Sequence, residues 1–467
     1  MRIEALVRER RTLLATNAIN VYLKTSKYTL MAMIQGCDWF RRLGKFWEAY
    51  RVIAPDEYRL RTAKLDRTMS RQYLWTARML NLLGASGYAL EMAEMIKDLK
   101  APEDAVILAN IYLSNFETVK AHSIFSKIPT EERSYSSKFA QIGSADALAG
   151  VGKMKEALIL IRSIPTADDE ALLKGILFQA EGEYLARAQK YERALVALEK
   201  ARPYFQSDDQ TVDYAFLLKW IATSYAGLGK KTEATRIFNE AISILKKPKH
   251  RPESWLDCYY WMDRFEILSP ARKKILFSYP GLNESFLKRL ERPAEFQLGS
   301  KTAEFWISEP SQEWRHREQI YSQISKEIHL LSLVARAGEE GVSIFRILPI
   351  LWPGDFAIHL HTHRLNQLKR QLLMKYKIKI HAQEQVLRLS DADLKRVSVE
   401  VWNRDARPSV FEASQQISLT AIQKHYGIKR TKSYHLVREW ENREWVTLRK
   451  IGREVIVKLN VHQLGRP

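Results

Sequence analysis

The chain is poor in cysteine, glycine and proline, and it has no long apolar run. Its 467 residues include two cysteines, Cys37 and Cys258, whose separation suggests neither a zinc-ligand spacing nor a disulfide framework. Its 19 glycines and 15 prolines are too few to indicate long disordered regions. No uncharged apolar stretch approaches the about 20 residues that a membrane helix needs, and the charged N-terminus does not resemble a signal peptide. These absences predict a cytoplasmic protein without a membrane span.

Motifs of catalysis are also lacking. The sequence has no glycine-rich phosphate loop, no nucleophile elbow and no set of metal-binding cysteines. The acidic clusters at residues 168–170 and 208–209 fall between helical units, where capping and solvation account for them. His359, His361 and His363 are two residues apart, so on a helix neighbouring members point about 200° away from each other and cannot share an ion. We therefore expect no enzyme activity, no metal and no cofactor.

What the sequence does have is positive charge at its two ends. The formal net charge is +20 at pH 7, and the excess lies in residues 1–82 and 301–467, with a nearly neutral stretch between them. A basic balance of this size indicates a polyanionic partner. Charge alone leaves nucleic acid and an acidic membrane surface as alternatives.

Residues 1–247 repeat a helical unit. Its clearest copy spans residues 217–245, with Ala222, Gly229 and Ala234 at small positions and Tyr225 and Phe238 at large ones. Small residues allow two antiparallel helices to cross closely, and aromatic residues fill the remaining gaps. Marker alanines predict about six units, at Ala49, Ala89, Ala121, Ala157, Ala194 and Ala234.

This pattern resembles the tetratricopeptide repeat. The resemblance implies an α-solenoid that binds protein or peptide partners; the alternative is an irregular all-helical domain. Residues 248–294 are predicted to be a helical cap or connector, in which the aromatic run Trp255–Phe265 packs on the array. A base-stacking platform is the other interpretation of that run.

Residues 295–390 alternate short strands and helices. Glu295–Leu298 and Ala303–Ile307 precede a helix with Ile328, Leu331, Val334 and Ala335 on one face. Ser343 is placed to cap a second helix, which ends at Trp352-Pro353-Gly354. A basic third helix and a hairpin over residues 378–389 follow.

The segment resembles the OmpR/PhoB-type winged-helix DNA-binding domain. The features that match are LLSLVARAGEEGVSIFRIL, LWPGDF, HTHRLNQLKRQL and the wing KIKIHAQEQVLRL. The resemblance implies that the third helix lies in the major groove of DNA while the wing contacts the minor groove. By position it assigns DNA contact to His361, Thr362, Arg364 and Gln367, with Lys369 and Arg370 nearer the backbone.

A linker is predicted over residues 391–411, followed by a second winged helix over 412–467. Ser418 caps a short helix, Gly427 supplies the tight turn, and the next helix directs Tyr434, Val437 and Trp440 (or Leu436) to the core. Two strands surround a turn at Ile451-Gly452. The segment resembles the generic winged helix of many bacterial regulators. Its candidate DNA contacts are Lys429, Arg430, Thr431, Lys432, Ser433 and His435 on the helix and Arg449, Lys450 and Arg453 on the wing.

The sequence thus predicts a mainly α protein: a tetratricopeptide-like α-solenoid with two C-terminal winged helix-turn-helix domains that carry small β-hairpin wings. The expected function is that of a bacterial-type transcription regulator of double-stranded DNA, whose array binds a partner or forms a homo-oligomer. One alternative is a non-enzymatic scaffold in which the winged helices dock proteins. Another is non-specific nucleic-acid binding through phosphates.

Overall fold

The computed structural model describes residues 3–8, 11–54, 67–96, 101–128, 135–167, 170–205, 212–246, 251–290, 295–300, 302–355, 358–403, 408–411, 414–451 and 454–460. Over these residues the chain is mainly helical, as predicted, and it forms two compact units. The first comprises Met1–Leu276, Gly281–Leu290 and Leu348–His361. The second comprises Phe277–Pro280, Glu291–Ile347 and Thr362–Pro467. No described helix is long and apolar enough to cross a bilayer.

The helices up to residue 290 belong to the first unit, except that the end of the sixteenth enters the second. Their bounds are α1 Ile3–Arg8, α2 Thr12–Thr25, α3 Leu30–Arg42, α4 Phe46–Ile53, α5 Arg67–Leu82, α6 Ser86–Met95, α7 Pro102–Ser114, α8 Thr118–Phe125, α9 Tyr135–Gly150, α10 Met154–Ser163, α11 Ala171–Arg187, α12 Tyr191–Phe205, α13 Val212–Gly227, α14 Lys231–Leu245, α15 Pro252–Arg264, α16 Pro270–Ser278 and α17 Glu284–Leu287.

Six helix hairpins repeat along the described residues of the first unit. The pairs that pack together are α3–α4, α5–α6, α7–α8, α9–α10, α11–α12 and α13–α14. The first helix of each pair also contacts the first helix of the next pair, so successive hairpins stack in sequence order. The predicted helical-repeat array is therefore present.

The six marker alanines occupy the same place in every hairpin. Each is the fourth residue of the second helix, and each is 0% exposed. At that position a methyl group is enclosed by the neighbouring helix, and a larger side chain would force the hairpin apart. The first three repeats, which have the weaker sequence pattern, are built like the last three.

The turns of the hairpins are equally regular. Five residues before each marker alanine the backbone has positive φ, at Gly44, Gly84, Phe116, Gly152, Gln189 and Gly229. The next N–H donates to the carbonyl oxygen five residues earlier, for example Lys230 to Tyr225 at 2.9 Å. This is the Schellman arrangement, which ends a helix and normally uses glycine at the left-handed residue. Phe116 and Gln189 adopt it without being glycine.

Helix α15 packs on α13 and α14 at the end of the array. Trp255 and Tyr259 are buried in this contact, so their rings belong to the core and are not available for stacking on bases. Arg251, just before the helix, donates hydrogen bonds to Asn81 Oδ1 at 3.1 Å and to the Ser114 carbonyl oxygen at 2.6 Å. The connector thus also contacts the second and third repeats.

Residues 348–361 pack within the first unit, although sequence places them in the first winged helix. The Tyr88 hydroxyl, on α6, donates to the carbonyl oxygen of Trp352 at 2.8 Å. The backbone N–H of Gly354 donates to the Glu91 carboxylate at 3.0 Å. The Trp-containing turn is therefore held by the second repeat.

The second unit alternates strands with shorter helices. Its strands are β1 Glu295–Leu298, β2 Phe305–Ser308, β3 Glu313–His316, β4 Gln319–Tyr321, β5 Val342–Ser343, β6 Ile380–Gln383, β7 Val386–Leu389, β8 Val397–Asn403, β9 Gln416–Ser418, β10 Val446–Ile451 and β11 Glu454–Leu459. Its helices are α18 Lys326–Arg336, α19 Ile344–Leu351, α20 Ile358–Tyr376, α21 Asp391–Lys395, α22 Leu419–Tyr426 and α23 Arg430–Asn442. Helices α19 and α20 each have one end in the first unit. The strands form three sheets, ordered β1-β8-β2-β3-β4, β5-β7-β6 and β10-β11-β9.

Most of the predicted linker over residues 391–411 has regular secondary structure. Helix α21 and strand β8 fill it, and β8 lies inside the five-stranded sheet, antiparallel to β1 and parallel to β2. Val397 and Val399 are buried there. Their alternation with polar residues is a short strand signal, but its two pairing partners lie about a hundred residues away in sequence, so the local pattern does not reveal its central place.

Candidate nucleic-acid interface

The last described residues form a helix pair followed by a hairpin. The Ser418 side chain caps α22 by accepting from the Ala421 N–H at 3.1 Å, as predicted. Gly427 ends that helix with φ +62°, the left-handed conformation that a tight turn requires and glycine tolerates. Strands β10 and β11 then pair, and β11 also pairs with β9. We call α22, α23, β9, β10 and β11 the C-terminal helix pair and hairpin.

The buried face of α23 decides which of its side chains can meet a ligand. Ser433, Leu436, Val437 and Trp440 are buried, at the spacing that gives one side of a helix. Two predictions are corrected by this register. Tyr434, expected in the core, is 41% exposed, whereas Ser433, expected to contact DNA, is 0% exposed. The Ser433 hydroxyl donates to the Arg430 carbonyl oxygen at 2.7 Å.

The other residues predicted on α23 lie on the surface. Exposed side chains at its start are Lys429, Arg430, Thr431, Lys432 and His435. Neither Arg430 nor Lys432 forms an ion pair with any residue that the structure describes. The N-terminus of a helix also carries partial positive charge. This end of α23 therefore presents several cationic and hydrogen-bonding groups to solvent.

One residue of the set predicted on the hairpin lies in the described part of the chain. Arg449 is exposed on β10, where its backbone pairs with Ile456 of β11. The side chain of Lys450, and Arg453 altogether, lie outside the described part of the chain. Their predicted contacts with DNA remain predictions.

A buried carboxylate holds the C-terminal helix pair in place. Glu313, on β3, is 1% exposed. It accepts hydrogen bonds from the Ser409 backbone N–H at 2.9 Å, from the Ser409 hydroxyl at 3.1 Å and from the Tyr426 hydroxyl. Burial and the nearby negative charge raise the pKa of Tyr426, so its hydroxyl stays a donor. Sequence reasoning missed this contact; the only signal was a charged residue within a short strand.

Helix α20 exposes fewer of the predicted DNA-contact residues than the sequence indicates, because His361 is 0% exposed. Its imidazole stacks on Trp352, with ring centroids 4.6 Å apart and planes at 6°. Its Nε2 lies 3.0 Å from the Asp355 carbonyl oxygen and 3.2 Å from the Asp355 carboxylate. The assignment of His361 to DNA contact is therefore corrected: the side chain belongs to the packed turn before the helix.

The remaining residues of that set divide between half-buried and exposed. Thr362, Arg364 and Lys369 are half-buried, and partial burial lowers the pKa of Lys369. Gln367 and Arg370 are exposed. No group of three or more potential metal ligands occurs among the described residues.

Comparison with known proteins gives little further information. No protein-family model and no curated protein matches the chain. Among solved structures, it is similar to a Rap protein in complex with competence and sporulation factor. That match has 13% identity and a TM-score of 0.41, and it covers 62% of this chain and 89% of the Rap chain. The description of the array rests on its own geometry.

Proposed function

We propose that the chain is a DNA-binding regulator in which the C-terminal helix pair and hairpin form a winged helix-turn-helix. The observation that carries this proposal is the cluster of exposed, unpaired cations at the start of α23. Surface cations are often neutralised by neighbouring carboxylates, whereas Arg430 and Lys432 are available to a polyanion. A helix pair followed by a hairpin is also the element order of a winged helix.

The chemistry of α23 suggests separate roles for its residues. Arg430 and Lys432 can donate to guanine O6 and N7 or to phosphate oxygens, and Thr431 and His435 can bond either bases or backbone. Arg449 on the hairpin is suited to a phosphate or to the minor groove. Phosphate contacts would give affinity and base contacts would give sequence preference.

Helix α20 has a smaller part in this proposal. The first turn of this helix packs against the array, where His359 contacts Trp47 with ring centroids 5.5 Å apart. Gln367 and Arg370, in the middle of the helix, are therefore the exposed members of the predicted set, and Arg364 is partly accessible. Backbone contact suits these positions better than base reading by the helix start.

The array is proposed to receive the regulatory signal by binding a protein or peptide, or by joining copies of the chain. Stacked helix hairpins present long surfaces on which such partners bind. Binding or release of such a partner would then control DNA binding.

DNA binding is tested with the full chain and a random-sequence duplex pool. The variant Arg430→Glu/Lys432→Glu is compared with Lys155→Glu/Lys190→Glu, which changes the same charge on exposed residues of the array. We expect salt-dependent binding that the first variant loses and the control retains. Enrichment of one sequence would indicate base reading. Equal loss in both variants would mean that net charge, not α23, carries the binding.

A second candidate function concerns the α19–α20 pair alone. The packing of residues 348–361 on the second repeat favours a role in protein docking for this pair. If Arg364→Glu/Arg370→Glu leaves DNA affinity unchanged while Arg430→Glu/Lys432→Glu abolishes it, the docking role is supported.

A further inference from the structure

The first unit contains a cavity of about 330 Å³ between the third, fourth and fifth repeats and the segment 285–289. Its lining includes four charged residues, Asp146, Glu183, Arg187 and Arg289, together with the apolar surface of Leu113 and Phe116. The volume is at the lower end of the range for ligand sites, about 300–1,000 Å³, which selects a small ligand.

Arg187 is fixed in the cavity wall with one donor unused. Its guanidinium lies over the Trp220 ring at 5.1 Å, and its Nη2 pairs with Glu183 at 2.6 Å. Its Nε is buried, and no described residue accepts a hydrogen bond from it. A buried donor without an acceptor is unfavourable, so a ligand oxygen that reached this nitrogen would be stabilising.

Arg289 repeats this arrangement on the opposite segment. Its guanidinium lies 4.2 Å from the Tyr260 ring centroid and 4.7 Å from that of Phe116. Its Nη2 pairs with Asp257 at 2.8 Å, and Asp257 also pairs with buried Lys219 at 2.8 Å. The Nη1 of Arg289 is buried without an acceptor among the described residues. Arg187 and Arg289 both line the cavity, and two guanidinium groups in one cavity wall are suited to a carboxylate.

Asp146 lacks a cationic partner in the described part of the chain. Its carboxylate accepts from the Tyr184 hydroxyl at 2.5 Å, but it forms no ion pair with a described residue. Burial, and after it the negative charge of Glu183, raise its pKa to about 7. A cation beside Asp146 would stabilise the ionised carboxylate, which burial and Glu183 disfavour.

We propose that this cavity binds a small zwitterion of the α-amino-acid type, free or as a dipeptide, with its carboxylate at Arg187 and Arg289 and its ammonium at Asp146 and Glu183. A phosphate dianion fits less well, because the two acidic side chains would repel it. The apolar wall at Leu113 and Phe116 would accept a side chain. This site belongs to the first unit, and it does not depend on whether the chain binds DNA.

The test is calorimetric titration of the full chain with each of the twenty free amino acids and with a pool of dipeptides. The same compounds, N-acetylated or C-amidated, remove one charge at a time. We expect saturable binding by at least one zwitterion, about tenfold or more weaker when either charge is removed. Free amino acids and dipeptides are separate arms, so the result also identifies the form that binds.

Three variants complete the design. Asp146→Asn and Arg187→Lys should each weaken binding about tenfold or more, whereas Arg236→Lys, on an exposed ion pair of the same array, should not. Asp146→Asn keeps an acceptor for Tyr184, so it remains informative if the arginine variant fails to fold. The proposal is overturned if no probe binds at millimolar concentration, if capped compounds bind equally well, or if Asp146→Asn binds like the original chain.

Discussion

The regular turns of the array make a quantitative prediction about Gln189. This residue has φ +59°, the left-handed region in which an L side chain is disfavoured by about 1–2 kcal/mol. Gly229, at the same place in the next repeat, has φ +77°, and a Cβ added there would meet nothing within 4 Å. Substitutions at Gln189 and Gly229 therefore measure the cost of the left-handed backbone without a change in side-chain packing.

We expect Gln189→Gly to raise the free energy of unfolding by about 1 kcal/mol, and Gly229→Ala to lower it by a similar amount. Urea denaturation followed by circular dichroism would show midpoint shifts of opposite sign, about 0.3–1 M each. Gln189→Ala is the control, because it removes the exposed side chain and keeps the left-handed backbone. It should resemble the original chain.

The reasoning is refuted if Gln189→Gly is neutral or destabilising while Gln189→Ala is neutral. The glycine would then have no strain to relieve at this turn. Phe116, the other non-glycine in the series, is unsuited to the experiment because its ring packs on Phe286 with centroids 5.0 Å apart.

Three further predictions concern buried polar groups. Glu313→Ala should destabilise the protein by about 3 kcal/mol, since Tyr426 and a backbone N–H lose their acceptor, and Glu313→Gln by less; urea unfolding measures both. Tyr88→Phe should lower stability by about 1 kcal/mol in the same assay, because the carbonyl oxygens of Leu348 and Trp352 each lose one hydrogen bond. The raised pKa of Asp146 favours the protonated folded state, so its stabilisation is complete below the unfolded pKa of 3.8 and is lost as pH rises through about 7. In urea denaturation, Asp146→Asn should thus gain about 3 kcal/mol more stability relative to the original chain at pH about 8 than at pH about 5; equal differences at both pH values would contradict the assignment.

The array is the part of the fold that sequence predicts best. Its marker alanines report a local requirement, the close crossing of two helices adjacent in sequence, and the structure buries every one of them. The left-handed turns at Phe116 and Gln189 escape sequence reasoning because neither residue is typical of that conformation. They follow from the repeat geometry and not from local preference.

The second unit shows where local patterns fail. Strand β8 and Glu313 are defined by partners about a hundred residues away, and no nearby residue indicates them. On α23, the sequence identifies the exposed cations. The predicted helical register is wrong by one residue, so the prediction puts Tyr434 in the core and Ser433 on the surface, where the structure has the reverse. His361 is misplaced because its setting depends on Trp352 and on the turn before the helix.

The contacts of Glu313 and Phe411 have a consequence for how this protein can be cut or recombined. Phe411 fills the core of the C-terminal helix pair from a position before its predicted start, and Glu313 supplies hydrogen-bond acceptors from β3. A fragment that begins at residue 412 would have a cavity in its own core in place of Phe411, and its Tyr426 hydroxyl would lose the Glu313 acceptor. The C-terminal segment is therefore not a unit that can be moved between proteins without β3 and residues 408–411.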